Sequence, residues 1–376
     1  MPAASLARLR FPVESARGRR YPESAHPYRN DFQRDRDRVV HARAFRRLED
    51  KTQVFSPSLS DHFRNRLTHT IEVSQIARTA AAVLGLDEDL TEALALAHDI
   101  GHPPFAHAGE EELNRLMQGF GDGFDHNRQA LRIVESFENP YARFPGLNLT
   151  FEVREGIVKH SRDFGPCEIP ELDEYLPGLR PPLEAQLIDL CDEVAYNTAD
   201  LDDGYNAGLI SVEDACNSVA KFRDLWESAE VQFPGAPERV RLYEVLRGLI
   251  NWLVSGLIDG TVNAAVDMEG LEDVRRYPSR VARFSPETSA GTAELKAFLR
   301  AKVYCSEPVV RARSESTGRI SWLFEHFLQY PDLLPPSYRE ESSDEPVHRQ
   351  VCDYIAGMTD GFFLKTLDQL SNSRPE

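Results

Sequence analysis

Residues 90–107 read L-T-E-A-L-A-L-A-H-D-I-G-H-P-P-F-A-H. Leu90, Ala93, Leu94 and Ala97 recur at helical spacing. Asp87 or Asp89 can cap the helix they mark, and Pro103-Pro104 forbids its continuation. The helix therefore ends on His98-Asp99-Ile100-Gly101-His102, a polar turn between apolar flanks. Upstream, Ile71, Val73, Ile76, Ala77, Ala80 and Val83 predict a helix over 67–84, with Gly85 as its left-handed stop. Downstream, helices are expected over 108–118 and 126–138, on either side of the turn G-F-G-D-G-F. Further helical patterns cover 31–53, 183–201, parts of 211–305 (notably 239–260) and 347–370. Residues 1–30, 139–150, 163–182 and 331–346 read as irregular. No segment alternates with period two, so the class is all-α.

The 376 residues are 41% hydrophobic and 28% charged, as in ordinary globular proteins. A net charge of −18 argues against a broad basic surface for nucleic acid or acidic membrane. The average hides an asymmetry, because residues 1–66 carry +7, almost all of it from arginine. No apolar run approaches the ~20 residues that span a bilayer. The opening M-P-A-A-S-L-A-R-L-R lacks the apolar centre of a secretory signal. Cys167, Cys191, Cys216, Cys305 and Cys352 are odd in number and scattered, which suits reduced thiols in the cytoplasm.

The chemistry concentrates in His69, His98, Asp99, His102, His107, His126 and Asp192. Of 11 histidines, four fall within residues 98–126. Adjacent side chains on a helix diverge by about 100°, but at a helix end both can turn to one ion. Imidazole with carboxylate suits Mn, Fe, Co, Ni or Zn, and Mg with added waters. A lone helix-terminal histidine is ordinarily only a cap. Three histidines in ten residues around a Pro-Pro break, with Phe105 among them, are more than a solvated loop needs. Asp189, Asp192, Tyr196 and Asp200 share one face of a helix, either as a site wall or as a solvated stripe.

Spaced H…HD…D residues on an all-α background resemble the HD-domain metal-dependent phosphohydrolases. The longer pattern H-D-I-G-H-P-P-F-x-H-x-G-E is similar to the deoxyguanosinetriphosphate triphosphohydrolase (dGTPase, dNTPase) family. So are R-D-R-D-R-V-V-H-A-R-A-F-R-R-L-E-D-K-T-Q-V-F at 34–55, N-R-L-T-H-T at 65–70 and F-D-H-N-R-Q-A-L-R-I-V at 124–134. L-N-L-T-F-E-V at 147–153 and D-E-V-A-Y-N-T-A-D-L-D-D-G at 192–204 extend the match. The resemblance implies an N-terminal arm over 1–33, an HD catalytic core over 34–205 and a C-terminal helical region over 206–376.

It implies four metal ligands: His69, His98, Asp99 and Asp192. His102, His107, Glu110 and His126 would be catalytic, with His107 the general acid, oriented by Glu110, for the departing 5′-oxygen. Arg46, Lys51 and Arg66 would meet the triphosphate, Gln53 and Asp200 the sugar 3′-hydroxyl, and Tyr196 the deoxyribose. Arg47 is expected to pair with local acids such as Glu49 and Asp50. Ala106 stands where the family commonly has Gly, and Ala199 where it often has His.

The implied activity converts a deoxynucleoside triphosphate, dGTP or several dNTPs, to deoxynucleoside and inorganic triphosphate. The cofactor would be a divalent ion, Mn²⁺ or Mg²⁺ first, with Co²⁺, Fe²⁺, Ni²⁺ or Zn²⁺ also compatible. The family also implies a cytoplasmic homo-oligomer, often a hexamer, with a nucleotide or single-stranded DNA as effector and no membrane. The alternatives are an HD hydrolase of 5′-nucleotides, cyclic dinucleotides or alarmones, or a nucleotide- or DNA-binding regulator.

Overall fold

The computed structural model describes residues 5–54, 63–340 and 345–372. Phe55, which closes the first arginine-rich motif, and residues 341–344 of the expected acidic loop lie outside these. Among the described residues there is no strand, only the isolated bridges Arg19–Thr150 and Thr52–Asn65.

Local sequence sets the helix ends. Asn30 and Gln33 form a reciprocal capping box that starts α1, Asp31–His41. The helical pattern expected over 31–53 breaks at Ala42, whose ψ of 148° is extended. It resumes as the short turns Arg43–Arg47 and Leu48–Asp50. Asn65 caps α2, Arg66–Leu84, by accepting the Thr68 amide. Gly85, at φ 78°, stops it as expected, and a Cβ there would lie 2.6 Å from Ser5 Oγ. Asp87 caps α3, Glu88–Ala97, through the Leu90 amide.

Two further short helices follow, α4 over Ala106–Gln118 and α5 over His126–Arg132, the latter continuing in a wider turn to Phe137. The stretch after the irregular 139–150 forms α6, Phe151–Val158, which periodicity did not reveal because all eight of its residues are buried. The long helices are α7, Leu183–Asn206, then α8, Glu238–Ala264. α9 spans Pro286–Leu299 and α10 spans Glu307–Gln329, the latter unassigned from sequence because most of its surface is polar. The helix expected over 347–370 is two, α11 over Val347–Ala356 and α12 over Asp360–Asn372, parted at Gly357-Met358-Thr359.

α3 packs on α1, α2 and α7, and α2 also lies along α7. Alanines at 77, 80, 93 and 97 let these helices approach closely around Val73, Leu94, Ile188, Cys191 and Val194, all buried. A second core joins Leu113 and Met117 of α4 to Ile320, Phe324 and Phe327 of α10 and to Val351, Ile355 and Phe363 near the C-terminus. α4, directly after the His-rich turn, is thus the helix that the C-terminal region grips.

α8 is long and apolar enough by length and composition to cross a membrane, but half of its most apolar window is buried inside the protein. It packs against α7 and α9.

The N-terminal arginines have partners within the chain. Arg8 donates to the carbonyls of Met268 and Ala265, Arg10 pairs with Asp87, and Arg17 lies over the Phe151 ring. Arg19 pairs with Asp35 and Asp31, Arg20 with Glu174, and Arg29 with Asp37. Leu6, Leu9 and Phe11 between them are buried in the main core.

Candidate active site

Three helices bring the metal-type residues together. The first turn of α2 supplies His69, the end of α3 supplies His98 and Asp99, and the middle of α7 supplies Asp192. His69 Nε2 lies 2.8 Å from Asp192 Oδ1. His98 Nε2 stands 3.6 Å from Asp99 Oδ1 and 4.0 Å from Asp192 Oδ1. His98 Nδ1 donates to the Ala95 carbonyl at 2.7 Å, which leaves the Nε2 lone pair facing both carboxylates. His69, His98 and Asp99 are buried.

Burial opposes ionisation of Asp192 and Asp99. The His69 hydrogen bond at Asp192, and His102 with Arg66 at Asp99, outweigh it and hold both carboxyls below the usual range. Burial pushes His98 and His102 down, so both are neutral donors near pH 7. A neutral imidazole lone pair aimed at two ionised carboxylates is a favourable place for a cation. His98 Nε2 has no hydrogen-bond partner, and His69, His98 and Asp99 offer donor atoms within 4.8 Å of one another. The donor set therefore fits a divalent metal ion.

Arg66, the residue that opens α2, is almost wholly buried and donates from Nη1 to Asp99 Oδ2 at 2.7 Å. Its Nε and Nη2 have no protein partner. A buried guanidinium with two free N–H directions beside this cluster suits an anion.

On the other side of the turn, His102 Nδ1 lies 2.9 Å from Asp99 Oδ1, and its ring stacks on His126 at 3.9 Å. Glu110 Oε1 accepts both the backbone amide and Nδ1 of His126, at 3.0 and 2.6 Å. Its Oε2 meets His107 Nδ1 at 3.4 Å. Burial opposes the Glu110 charge, but the two histidine contacts dominate and hold the carboxyl well below its ordinary value. His107 is the exposed member, 72% accessible at its side chain.

Gly101 makes this packing possible. A Cβ there would lie 2.0 Å from the His126 carbonyl oxygen. Beyond Pro103-Pro104 the chain turns sharply, with Phe105 at φ 63° and Ala106 at φ 55°, so α4 starts from a strained left-handed pair.

The remaining sequence candidates lie as follows. Tyr196 and Asp200 stand one and two turns beyond Asp192 on α7. Asp200 is buried and accepts a hydrogen bond from Tyr304, so this face is a wall and not a solvated stripe. Burial, opposed by the Tyr304 bond, pushes the Asp200 carboxyl up to about 7. Lys51 is buried, and its ammonium donates to the carbonyls of His102 and Ala356, the latter at 3.1 Å. It braces the His-rich turn from beneath. Gln53 keeps a buried, unpartnered Oε1, and Arg46 is exposed. Arg47 does not pair with Glu49 or Asp50, because its guanidinium reaches the Gly357 carbonyl at 2.9 Å.

Three contributors escaped the sequence reading. His160, just past α6, lies with its ring 5.1 Å from that of His98. Arg280 pairs with Asp189 and Asp163 beside it. Tyr304 reaches Asp200 from the turn after α9. Only His160 left a trace, as one more histidine after the L-N-L-T-F-E-V segment.

An HD domain model matches residues 66–197, and a phosphohydrolase-associated domain model matches 282–369. The first begins on Arg66 and takes in all four metal-type residues. The chain is 44% identical to a deoxyguanosinetriphosphate triphosphohydrolase-like protein of Geobacter sulfurreducens, over 94% of this chain and 92% of that one. It is 45% identical to one from an Azoarcus species, over 96% of each, and 46% identical to one from Ralstonia nicotianae, over 93% and 90%.

Proposed function

From its membership of the HD-domain phosphohydrolase family, with the deoxyguanosinetriphosphate triphosphohydrolase-like proteins, we propose that this chain is a metal-dependent dNTP triphosphohydrolase. The observation that carries the proposal is Arg66. It joins the Asp99 carboxylate with one nitrogen and leaves two buried N–H directions open beside the His-Asp cluster. An anionic substrate group there would complete its hydrogen bonding.

His69, His98, Asp99 and Asp192 would hold a divalent ion, Mn²⁺ or Mg²⁺ first. When bound it supplies Lewis acidity and charge neutralisation at a phosphoryl group. The chain's own groups do the rest. Arg66 orients the phosphates, with Arg46 at the exposed edge. Tyr196, Asp200 and Gln53 bind the sugar. Asp200, already bonded to Tyr304, would take the 3′-hydroxyl on its other oxygen.

The oxygen of a water molecule forms the new bond to the α-phosphorus as the bond to O5′ breaks, and the proton the water gives up replaces the one that His107 donates. His107 delivers a proton to the departing O5′. Glu110 orients His107 and His126, and His102, neutral and stacked on His126, completes the cluster. The products are a 2′-deoxynucleoside and triphosphate. The cytoplasm is the expected setting, in keeping with the buried free thiols Cys191 and Cys352.

The test is product analysis on each dNTP alone and in pairs, with Mn²⁺, Mg²⁺ or Co²⁺. Equimolar deoxynucleoside and triphosphate are expected, and acceleration by a second dNTP would identify an effector. Phosphate or pyrophosphate in place of triphosphate overturns the proposal.

A further inference from the structure

His160 is buried, with its ring against those of His98 and His126. Its Nε2 points to the metal-type cluster, 3.9 Å from Asp192 Oδ2. His98, His160 and Asp192 offer donor atoms within 4.8 Å of one another, and His98 belongs equally to the group with His69 and Asp99. The opposite ring nitrogen, Nδ1, is 2.8 Å from Asp189 Oδ1, a charge contact without hydrogen-bond alignment, so Nδ1 is free to turn onto that carboxylate when Nε2 takes a ligand. Asp189 is itself fixed, by the Ser161 amide at 2.8 Å and by Arg280. Arg280 is anchored in turn on Asp163 and on the Lys159 carbonyl.

A carboxylate at one nitrogen of an imidazole sets the tautomer and raises the basicity of the other, which is how proteins present histidine to a metal. We infer that His160 is a fifth protein donor to the ion held by His69, His98, Asp99 and Asp192, with Asp189 and Arg280 as the residues that position it. The inference rests on the reading of this pocket as a metal centre and not on the identity of the substrate. It explains why α7 carries Asp189 one turn before Asp192: one carboxylate faces the ion and the other faces the imidazole that faces the ion. It also gives Arg280, 120 positions from His160, a role at the site.

The experiment is Mn²⁺ titration of the full-length metal-free chain, with free Mn²⁺ read by electron paramagnetic resonance, for wild type, His160→Gln and Asp189→Asn. Weakening by roughly 10- to 100-fold is expected for His160→Gln, and a smaller loss for Asp189→Asn. The visible spectrum of the Co²⁺-loaded protein should change in His160→Gln, since one nitrogen donor is lost. Wild-type affinity and an unaltered Co²⁺ spectrum in His160→Gln overturn the inference. Should that variant not fold, wild-type Mn²⁺ affinity in Asp189→Asn overturns it equally. A wild-type chain that binds no Mn²⁺ overturns the metal centre itself, which separates the two failures.

Discussion

The Asp360 carboxylate accepts the backbone amide of Phe105, 255 positions away, at 3.1 Å. Its other oxygen takes the amide of Thr52 at 3.0 Å and the Thr52 hydroxyl. The Phe105 ring meets Phe363 edge to face at 5.0 Å. Together with Lys51, which ties the His102 carbonyl to that of Ala356, these contacts hold the start of α12 against the His-rich turn. Left-handed φ values at Phe105 and Ala106 each cost on the order of 1–3 kcal/mol and persist only where the surroundings impose them.

Asp360→Ala should therefore do two things. Three donors, two of them buried, lose their acceptor, which lowers stability by about 2–3 kcal/mol in urea denaturation. The turn carrying His102 relaxes, and kcat falls roughly 10- to 100-fold, since misplacement by an ångström is enough. An unchanged kcat in a folded variant would show that the C-terminal region does not position the turn.

Arg66→Lys keeps the charge and can keep the Asp99 pair, but it loses the planar fork. Charge-assisted hydrogen bonds are worth about 1.5–3 kcal/mol, so KM for the nucleotide should rise by roughly tenfold or more. Mn²⁺ affinity should stay within a few-fold of wild type. Lost metal binding with unchanged KM would assign Arg66 to the ion alone.

The contrast between what was and was not legible in the chain is one of sequence distance. The ends of α2 and α3 follow from Asn65, Gly85 and Asp87, each acting within four residues. The H-D pair stands out because neighbouring residues at a helix end can turn to one partner, a juxtaposition visible in the sequence itself. Pairings such as Tyr304–Asp200, His160–Asp189 and Asp360–Phe105 leave no periodicity, because the fold creates them across 29 to 255 positions. The arginine-rich front end, whose role the sequence leaves open, is likewise settled by partners elsewhere in the chain. Arg10, Arg19 and Arg29 each neutralise a carboxylate of the chain itself. Arg66 alone among the described arginines near the cluster keeps buried nitrogens open.

Metal removal should be visible without substrate. An ion that binds only the folded chain stabilises it by about 2.7 kcal/mol at 100 times its dissociation constant. Calorimetry with excess Mn²⁺ and with EDTA should show a transition several degrees lower without metal, and none of this difference in Asp99→Ala. Triphosphate release should vanish with EDTA and return with Mn²⁺. A transition that ignores both additions would contradict a metal centre among these buried carboxylates.

Glu184, in the first turn of α7, predicts a pH dependence of stability away from the metal ligands. Its side chain is fully buried, and Oε1 accepts the amides of Phe11 and Asp87 at 2.9 and 3.1 Å. Burial, only partly offset by those hydrogen bonds, pushes its pKa from an ordinary 4.5 up to about 7. The folded state therefore holds a proton that the unfolded chain has already released. Between roughly pH 4.5 and 7 the native state binds more protons, so this group's contribution to stability is complete at low pH and lost as pH rises. The span corresponds to about 3 kcal/mol. Glu184→Gln removes the titration while keeping an acceptor for Phe11 and Asp87. Its stability relative to wild type should therefore climb across that window and level off above about pH 7, whatever constant offset the amide brings. Urea midpoints at half-unit pH intervals measure this directly, and parallel curves for the two proteins would mean that Glu184 is ionised in the fold.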